Sequence, residues 1–326
     1  MHASIFKQDF TIPSDTPGIS LHVRNKRLAD AQTGGEARTV LLAHGATYGS
    51  DSLFDVALDG RSFMDSLALA GYDVYAVDVR GYGRSSPLPE MGEAPEAHEP
   101  LAGTEIGVRD FSTAADFVRG RLGLRRLNVI GMSWGGSVAG SYTARNADKV
   151  RRLGLVAPQW LSKEPIPLDP GGPLGAYRAV SVQAMQTRWL GNVPEAKRAE
   201  ILPQAWFEAW AQTTLDAEQN AQRRAQGQIL ATNGPIQDVR AYWSVDRPFY
   251  NPSDIEVPVL LVHGEWDQDV PIGLAFDYFR HLRRSPSRQW LEVGEATHML
   301  LLEKNRDIAY DALTRFLSAP LPGVAD

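Results

Sequence analysis

The sequence predicts an α/β fold, a doubly wound and mostly parallel sheet with one helical insertion. Two observations predict it. Between residues 39 and 158, short apolar runs bounded by turn residues alternate with stretches of helical spacing, the order that crossover units impose on a parallel sheet. From 159 to roughly 246 the alternation stops, and it resumes at VPVLLVHG (257–264). The expected layout is a core of residues 1–158 and 247–326, with 159–246 inserted.

The elements follow in order. ISLHV (19–23) and TVLLAHG (39–45) read as strands. RSFMDSLALAGY (61–72) has helical spacing, with Phe63, Leu67 and Ala70 on one face and Gly71 as a stop. DVYAVDV (73–79) is the next strand, running into the turn RGYGRSSP. A proline- and acid-rich loop (87–100) precedes a helix over about 104–121. RLNVIG (126–131) is a strand, SWGGSVAGSYTARNA opens a helix, and RLGLVAP (152–158) is a further strand. The insertion carries no convincing strand; YRAVSVQAMQTRWL (177–190) and QAWFEAWAQTTL (204–215) read as amphipathic helices. After VPVLLVHG come a helix at about 272–283, a strand at RQWLEVG (288–294) and a last helix at 303–317.

Composition narrows the function classes. The 326 residues are 43% apolar and 22% charged, as expected of a packed globular core. The net charge of −6 is spread without a basic stripe, so no nucleic-acid partner is expected. Arg223-Arg224 and Arg283-Arg284 read as solvated helix faces. Cysteine is absent, which excludes disulfides, thiolate catalysis and zinc–thiolate sites and fits a cytoplasmic location. The start MHASIFKQDFTIP lacks the apolar core of a secretory signal, and no run approaches the roughly 20 apolar residues of a membrane span. No His/Asp/Glu cluster has metal-ligand spacing, and Gly81-Tyr82-Gly83 lacks the third glycine of a dinucleotide fingerprint. No metal or other cofactor is expected. The sequence carries no signal for an oligomeric state.

The chemistry centres on GMSWG (131–135). A G-x-S-x-G pattern arises by chance about once in ten chains of this length, but a chance copy rarely falls where an apolar strand gives way to a helix. There the pattern describes a tight, strained turn, and bulk two residues to either side of Ser133 would collide with neighbouring backbone. A serine hydroxyl needs a base to take its proton and a carboxylate to orient that base. Of the seven histidines, His2 and His22 lie near the N-terminus, His98 in a polar loop and His281 on a helix beside arginines. His44 and His263 each end an apolar strand. His298, in GEATHML between the last strand and the final helix, suits a side chain reaching across the sheet's carboxyl edge. Asp267, in HGEWDQDVP, follows the strand VPVLLVHG, and Asp269 is its rival.

With these segments in hand the chain resembles the α/β-hydrolase superfamily over nearly its whole length. HGATYG (44–49) resembles the oxyanion loop and VDVRGYGRS (77–85) the D-x-R-G-x-G-x-S segment. GMSWGG matches the nucleophile elbow, VPVLLVHGEWDQDVP the acid loop and GEATHML the histidine loop. The resemblance implies Ser133 as nucleophile, His298 as general base and then acid, and Asp267 as its orienter. It also implies an oxyanion hole from the N–H of Trp134 with that of Ala46 or Thr47, while His44 reads as structural. Haloalkane dehalogenases and epoxide hydrolases of this fold use an aspartate at the elbow, which Ser133 cannot replace. Proline iminopeptidases carry an H-G-G-P-G oxyanion loop that is absent here. Carbon–carbon hydrolases share the triad.

In the superfamily an insertion at this place forms a cap over the site. Here it brings Trp189, Trp206, Trp210 and Trp243, with Trp134 and Trp266 beside the nucleophile and acid, and Arg178, Arg188 and Arg240. Tryptophan suits an aromatic or branched ester group, and an arginine suits a substrate carboxylate. Triad order and cap length are similar to those of monoalkyl phthalate ester hydrolases. The expected activity is hydrolysis of a small-molecule carboxylic ester, with an aromatic half-ester as a candidate substrate. The alternatives are a carbon–carbon or amide hydrolase and a non-catalytic binding protein.

Overall fold

The computed structural model describes residues 4–30 and 34–321; His2 lies outside them. Eight strands form one sheet: β1 (Ile5–Pro13), β2 (Ser20–Leu28), β3 (Thr39–Ala43), β4 (Asp73–Val77), β5 (Leu127–Met132), β6 (Val150–Val156), β9 (Val259–Gly264) and β10 (Arg288–Val293). Their spatial order is β1-β2-β4-β3-β5-β6-β9-β10. The hairpin β1–β2 is antiparallel, as is its pairing to β4, and the six strands from β4 to β10 run parallel. Sequence reading missed β1 and the second half of β2. Their burial is mixed, so the apolar signal that marks the central strands is weak there.

Helices α1 (Ser50–Phe54), α2 (Phe63–Leu69), α3 (Thr104–Leu122), α4 (Trp134–Arg145), α10 (Ile272–His281) and α11 (Arg306–Ser318) connect or follow the core strands. Ser62 opens α2 with a capping box, accepting from the Asp65 N–H while Asp65 returns a bond to the Ser62 N–H. Gly123, at φ 67°, closes α3 in the left-handed conformation that a C-cap favours.

The segment between β6 and β9 contains helices α5 (Val182–Trp189), α6 (Arg198–Ile201), α7 (Gln204–Ala217), α8 (Ala221–Ala225) and α9 (Gly234–Ala241). It also contains a two-stranded antiparallel sheet of β7 (Tyr177–Ser181) and β8 (Gln228–Thr232). This corrects the expectation of an insertion without strands and of a helix beginning at 177. The helical pattern starts only at Val182, where the Ser181 hydroxyl accepts from the Ala184 N–H. The preceding five residues find partners about fifty residues later, a pairing that local periodicity does not encode. Among the described residues no helix is long and apolar enough to cross a membrane.

Candidate active site

Every proposed reacting residue follows the carboxyl end of a parallel strand, where open α/β sheets bind their ligands. Ser133 joins β5 to α4 at φ 57° and ψ −123°, a conformation costly for a residue with a side chain. The glycines around it are required sterically. A Cβ on Gly131 would stand 2.1 Å from the Gly135 carbonyl oxygen, and one on Gly135 would stand 2.2 Å from the Ala43 oxygen. The turn thus fits only because two crossing backbones touch without side chains between them.

Of the two rival acids, Asp267 faces the histidine. Its Oδ2 lies 2.8 Å from His298 Nδ1, while Oδ1 accepts the N–H groups of Asp269 and Val270, both at 2.8 Å. Asp269 turns instead to Arg188, which reaches its two oxygens at 3.0 Å and 2.7 Å. Burial by itself lowers the affinity of His298 for a proton, but the charge and hydrogen bond of Asp267 outweigh it, and the imidazole titrates above its ordinary value. Behind the pair, buried His263 holds Nε2 3.9 Å from the same Asp267 oxygen, and burial pushes its pKa down. His44 accepts the Val79 N–H on Nε2 at 3.0 Å and faces the Gly45 carbonyl at 2.8 Å with Nδ1. It ties the loop after β3 to the end of β4.

Ser133 and His298 line one small cavity together with Ala46, Thr47, Tyr48 and Arg188. Trp134 opens α4, so its N–H is among those at a helix start without an intrahelical acceptor. Its indole points away, donating to the Thr104 hydroxyl at 2.9 Å. The VDVRGYGRS segment braces this edge. Buried Asp78 accepts the N–H groups of Ser50 (2.6 Å) and Arg84 (2.9 Å), and Arg80 pairs with Asp110 of α3. A Cβ on Gly83 would meet the Asp78 carboxylate at 2.4 Å.

The residues expected to bind substrate are mostly engaged elsewhere, and none of the four tryptophans lines either cavity that contains Ser133. Trp189 donates to Glu303 at 2.6 Å, and Trp206 donates to Asp59 at 3.0 Å with Arg306 stacked 4.0 Å from its ring centroid. Trp210 packs edge-on against Tyr48, and Trp243 packs against Trp160 and Phe249. Trp266 binds the Ala296 carbonyl through its backbone N–H. Through Glu303, Asp59, Tyr48 and Phe249, the rings of Trp189, Trp206, Trp210 and Trp243 fasten the inserted segment to the core. Arg240 pairs with Asp169. Arg178 donates to the carbonyls of Ala46 and Thr232, the Thr47 hydroxyl and the Asn233 amide oxygen, with no carboxylate among its partners in the described residues. Of the predicted arginines only Arg188 lines the Ser133 cavities. Tyr48, Leu168 and Met185 line them too and were missed. Only Tyr48 had a signal, its place within HGATYG.

A family profile described as "alpha/beta hydrolase fold" matches residues 38–305. The chain belongs to that family. Epoxide hydrolase A of Mycobacterium tuberculosis is 31% identical to this α/β-hydrolase over 165 residues, 51% of this chain and 42% of that one. A non-heme haloperoxidase of Rhodococcus erythropolis is 27% identical over 254 residues, 73% and 78% of the two chains. The chain spans less than half the length of four further curated relatives, which include a bifunctional epoxide hydrolase and a dienedioate hydrolase. Among solved structures, a meta-cleavage product hydrolase of Pseudomonas fluorescens superposes with TM-score 0.62 at 16% identity, covering 94% of this chain and 96% of that one. An esterase of Thermogutta terrifontis gives 0.59 at 18%, covering 96% and 100%. These two likenesses speak to the fold.

Proposed function

We propose that this α/β-hydrolase cleaves a carboxylic ester through an acyl-enzyme, with residues 159–246 as its cap. The observation that carries the reading is the 2.8 Å contact of Asp267 with His298 Nδ1, in a histidine that shares a cavity with the strained Ser133. With Nδ1 engaged, Nε2 is the nitrogen left to take a proton. Ser133 Oγ attacks the ester carbonyl as His298 accepts its proton, and the oxygen that gains charge is held by the N–H of Trp134 and of Ala46 or Thr47. Collapse expels the alcohol, which leaves with the proton from His298. Water then attacks the acyl-serine by the same route, returning the acid and free Ser133.

A serine at the elbow argues against transferring epoxide opening from the relatives, since the alkyl-ester intermediate of that reaction needs a carboxylate. The half-ester expectation loses its motivation. The tryptophans pack the cap, and Asp269 neutralises Arg188 at 2.7 Å. A neutral ester suits the site better.

The test is hydrolysis of p-nitrophenyl acetate to decanoate at pH 8 by wild type and Ser133→Ala. Loss of a triad nucleophile costs on the order of 10⁴- to 10⁶-fold in turnover, and a collapse of that size is expected. Equal, feeble rates would sink the reading. Dienoate and peptide-like substrates would then separate the carbon–carbon and amide alternatives, and failure to label with a covalent serine probe would indicate a binding protein. Cleavage of a monoalkyl phthalate in preference to neutral esters would restore the half-ester.

A further inference from the structure

The space at Ser133 is too small for the ester it is proposed to cleave. The two cavities that Ser133 lines measure about 40 Å³ each, room for roughly one to three waters, whereas small-molecule sites run about 300–1,000 Å³. A chamber of about 390 Å³ lies beside them, and Ser133 is not in its wall. Leu88, Met91, Ala217, Ile229 and Leu230 make that wall chiefly apolar.

One stretch of chain separates the two spaces. Tyr48 and Leu53 line the Ser133 cavity, Gly49 and Ser52 line the chamber, and Thr47 lines both. Thr47 is held in place by Arg178, which donates to its hydroxyl at 3.0 Å. Two of the chamber's polar neighbours are engaged with the chain around them. Gln219 donates to the carbonyls of Gly83 and Ser85, and Glu218 accepts the N–H groups of Asn220 and Leu230. Thr214 is not so engaged among the described residues. It lines the chamber, is 2% exposed, and its hydroxyl has no partner. One turn earlier on α7, the Trp210 indole N–H is also unpartnered, and the hydroxyl of Tyr48, whose ring centroid lies 5.0 Å away, is a third.

We propose that the chamber receives the apolar arm of the ester whose carbonyl sits at Ser133. The arm is the acyl chain, an alkyl group of about a dozen carbons at roughly 30 Å³ for each water-sized group, and the alcohol stays outside the chamber. The arm is uncharged, as the chiefly apolar wall requires, and it enters by displacing the Thr47 side chain, which lines both spaces. This rests on the ester reading, and it adds the size and polarity of the substrate.

The test fills the chamber from two walls, with Ala217→Phe on α7 and Ile229→Phe on β8, and compares p-nitrophenyl acetate with the decanoate. Each buried methylene is worth about fourfold in affinity. Wild type is expected to prefer the decanoate. Each variant should lower decanoate kcat/KM at least tenfold, through KM, and leave acetate kcat/KM within twofold. Two walls keep the test alive should one variant fail to fold. An unchanged decanoate-to-acetate ratio in either folded variant overturns the proposal. Absence of acetate turnover in wild type identifies a failure of the ester reading instead, and the proposal falls with it.

Discussion

The carboxylate of Glu303 joins the inserted segment to the turn that carries the histidine. It accepts the Trp189 indole N–H at 2.6 Å from α5 and the Thr297 N–H at 2.9 Å, and it also binds the Thr297 hydroxyl, one residue before His298. Glu303 is fully buried, and burial raises its carboxyl from 4.5 to about 7.

The first prediction follows from that shift. Between pH 4.5 and about 7 the folded protein holds more protons at this group than the unfolded chain does. Stability therefore falls as pH rises through the window, by up to about 3 kcal/mol from this residue at roughly 1.4 kcal/mol per pH unit. Glu303→Gln has no proton to lose. Urea unfolding at pH 5 and pH 8 should show wild type losing stability relative to the variant, although the variant starts lower because an amide cannot accept both Thr297 bonds. Parallel pH dependences would contradict this.

The second prediction separates the two aspartates. Asp267→Asn removes the acceptor that fixes the His298 tautomer, and kcat should fall by about 10⁴. Because Asp267 is also what lifts the imidazole, wild-type kcat/KM should rise with pH through an apparent pKa above 6.5. That inflection should move down in the residual activity of the variant. Asp269→Asn only frees Arg188 and removes a weaker influence on His298, so kcat should fall less than tenfold. Comparable losses in the two variants would mean that the acid's role is shared.

The elbow makes a third prediction about stability alone. An alanine Cβ at Gly135 would lie 2.2 Å from the Ala43 oxygen and 2.5 Å from the His44 oxygen, both rigid backbone. Gly135→Ala should cost at least the 1–3 kcal/mol typical of overpacking. At Gly120, inside α3, a Cβ meets nothing within 4 Å, and Gly120→Ala should stabilise by about 0.5–1 kcal/mol. Opposite shifts in thermal midpoint are expected, and a neutral Gly135→Ala would refute the steric argument.

The elbow, the acid loop and the histidine loop were legible because their geometry is local. Gly131 and Gly135 declare a close crossing wherever they stand in such a pattern, and Asp267 and His298 each sit a few residues past a strongly apolar strand. The partner of His298 was not legible. Asp267 and Asp269 differ only in which way a short turn points them, and the deciding bonds to the N–H groups of Asp269 and Val270 are tertiary detail. The inserted segment was least legible. Composition placed four tryptophans in it but could not say that Glu303, Asp59, Tyr48 and Phe249 would hold them as clamps. The β7–β8 pairing escaped for the same reason, since Tyr177 meets Thr232 across a separation that no periodicity spans.

Arg178 supplies the last prediction, because its sequence-expected role and its structural setting diverge. A guanidinium that clamps a substrate carboxylate acts in binding, so its removal would raise KM for anionic esters and spare neutral ones. Here the group spans β7, Thr232 and Asn233 on one side and the Ala46 carbonyl and Thr47 hydroxyl on the other. Burial lowers its pKa, and among the described residues no carboxylate pairs with it. A cation so placed pins the loop proposed to hold the oxyanion and adds positive potential beside it. Removing a direct oxyanion donor costs about 10²- to 10³-fold in kcat. Arg178→Met, acting one bond further away, should cost about 10- to 100-fold in kcat on a neutral ester, with KM changed little. Arg178→Lys keeps the charge but cannot reach four acceptors, so it should fall between Arg178→Met and wild type. A defect confined to KM and to anionic esters would return Arg178 to the role of a carboxylate clamp.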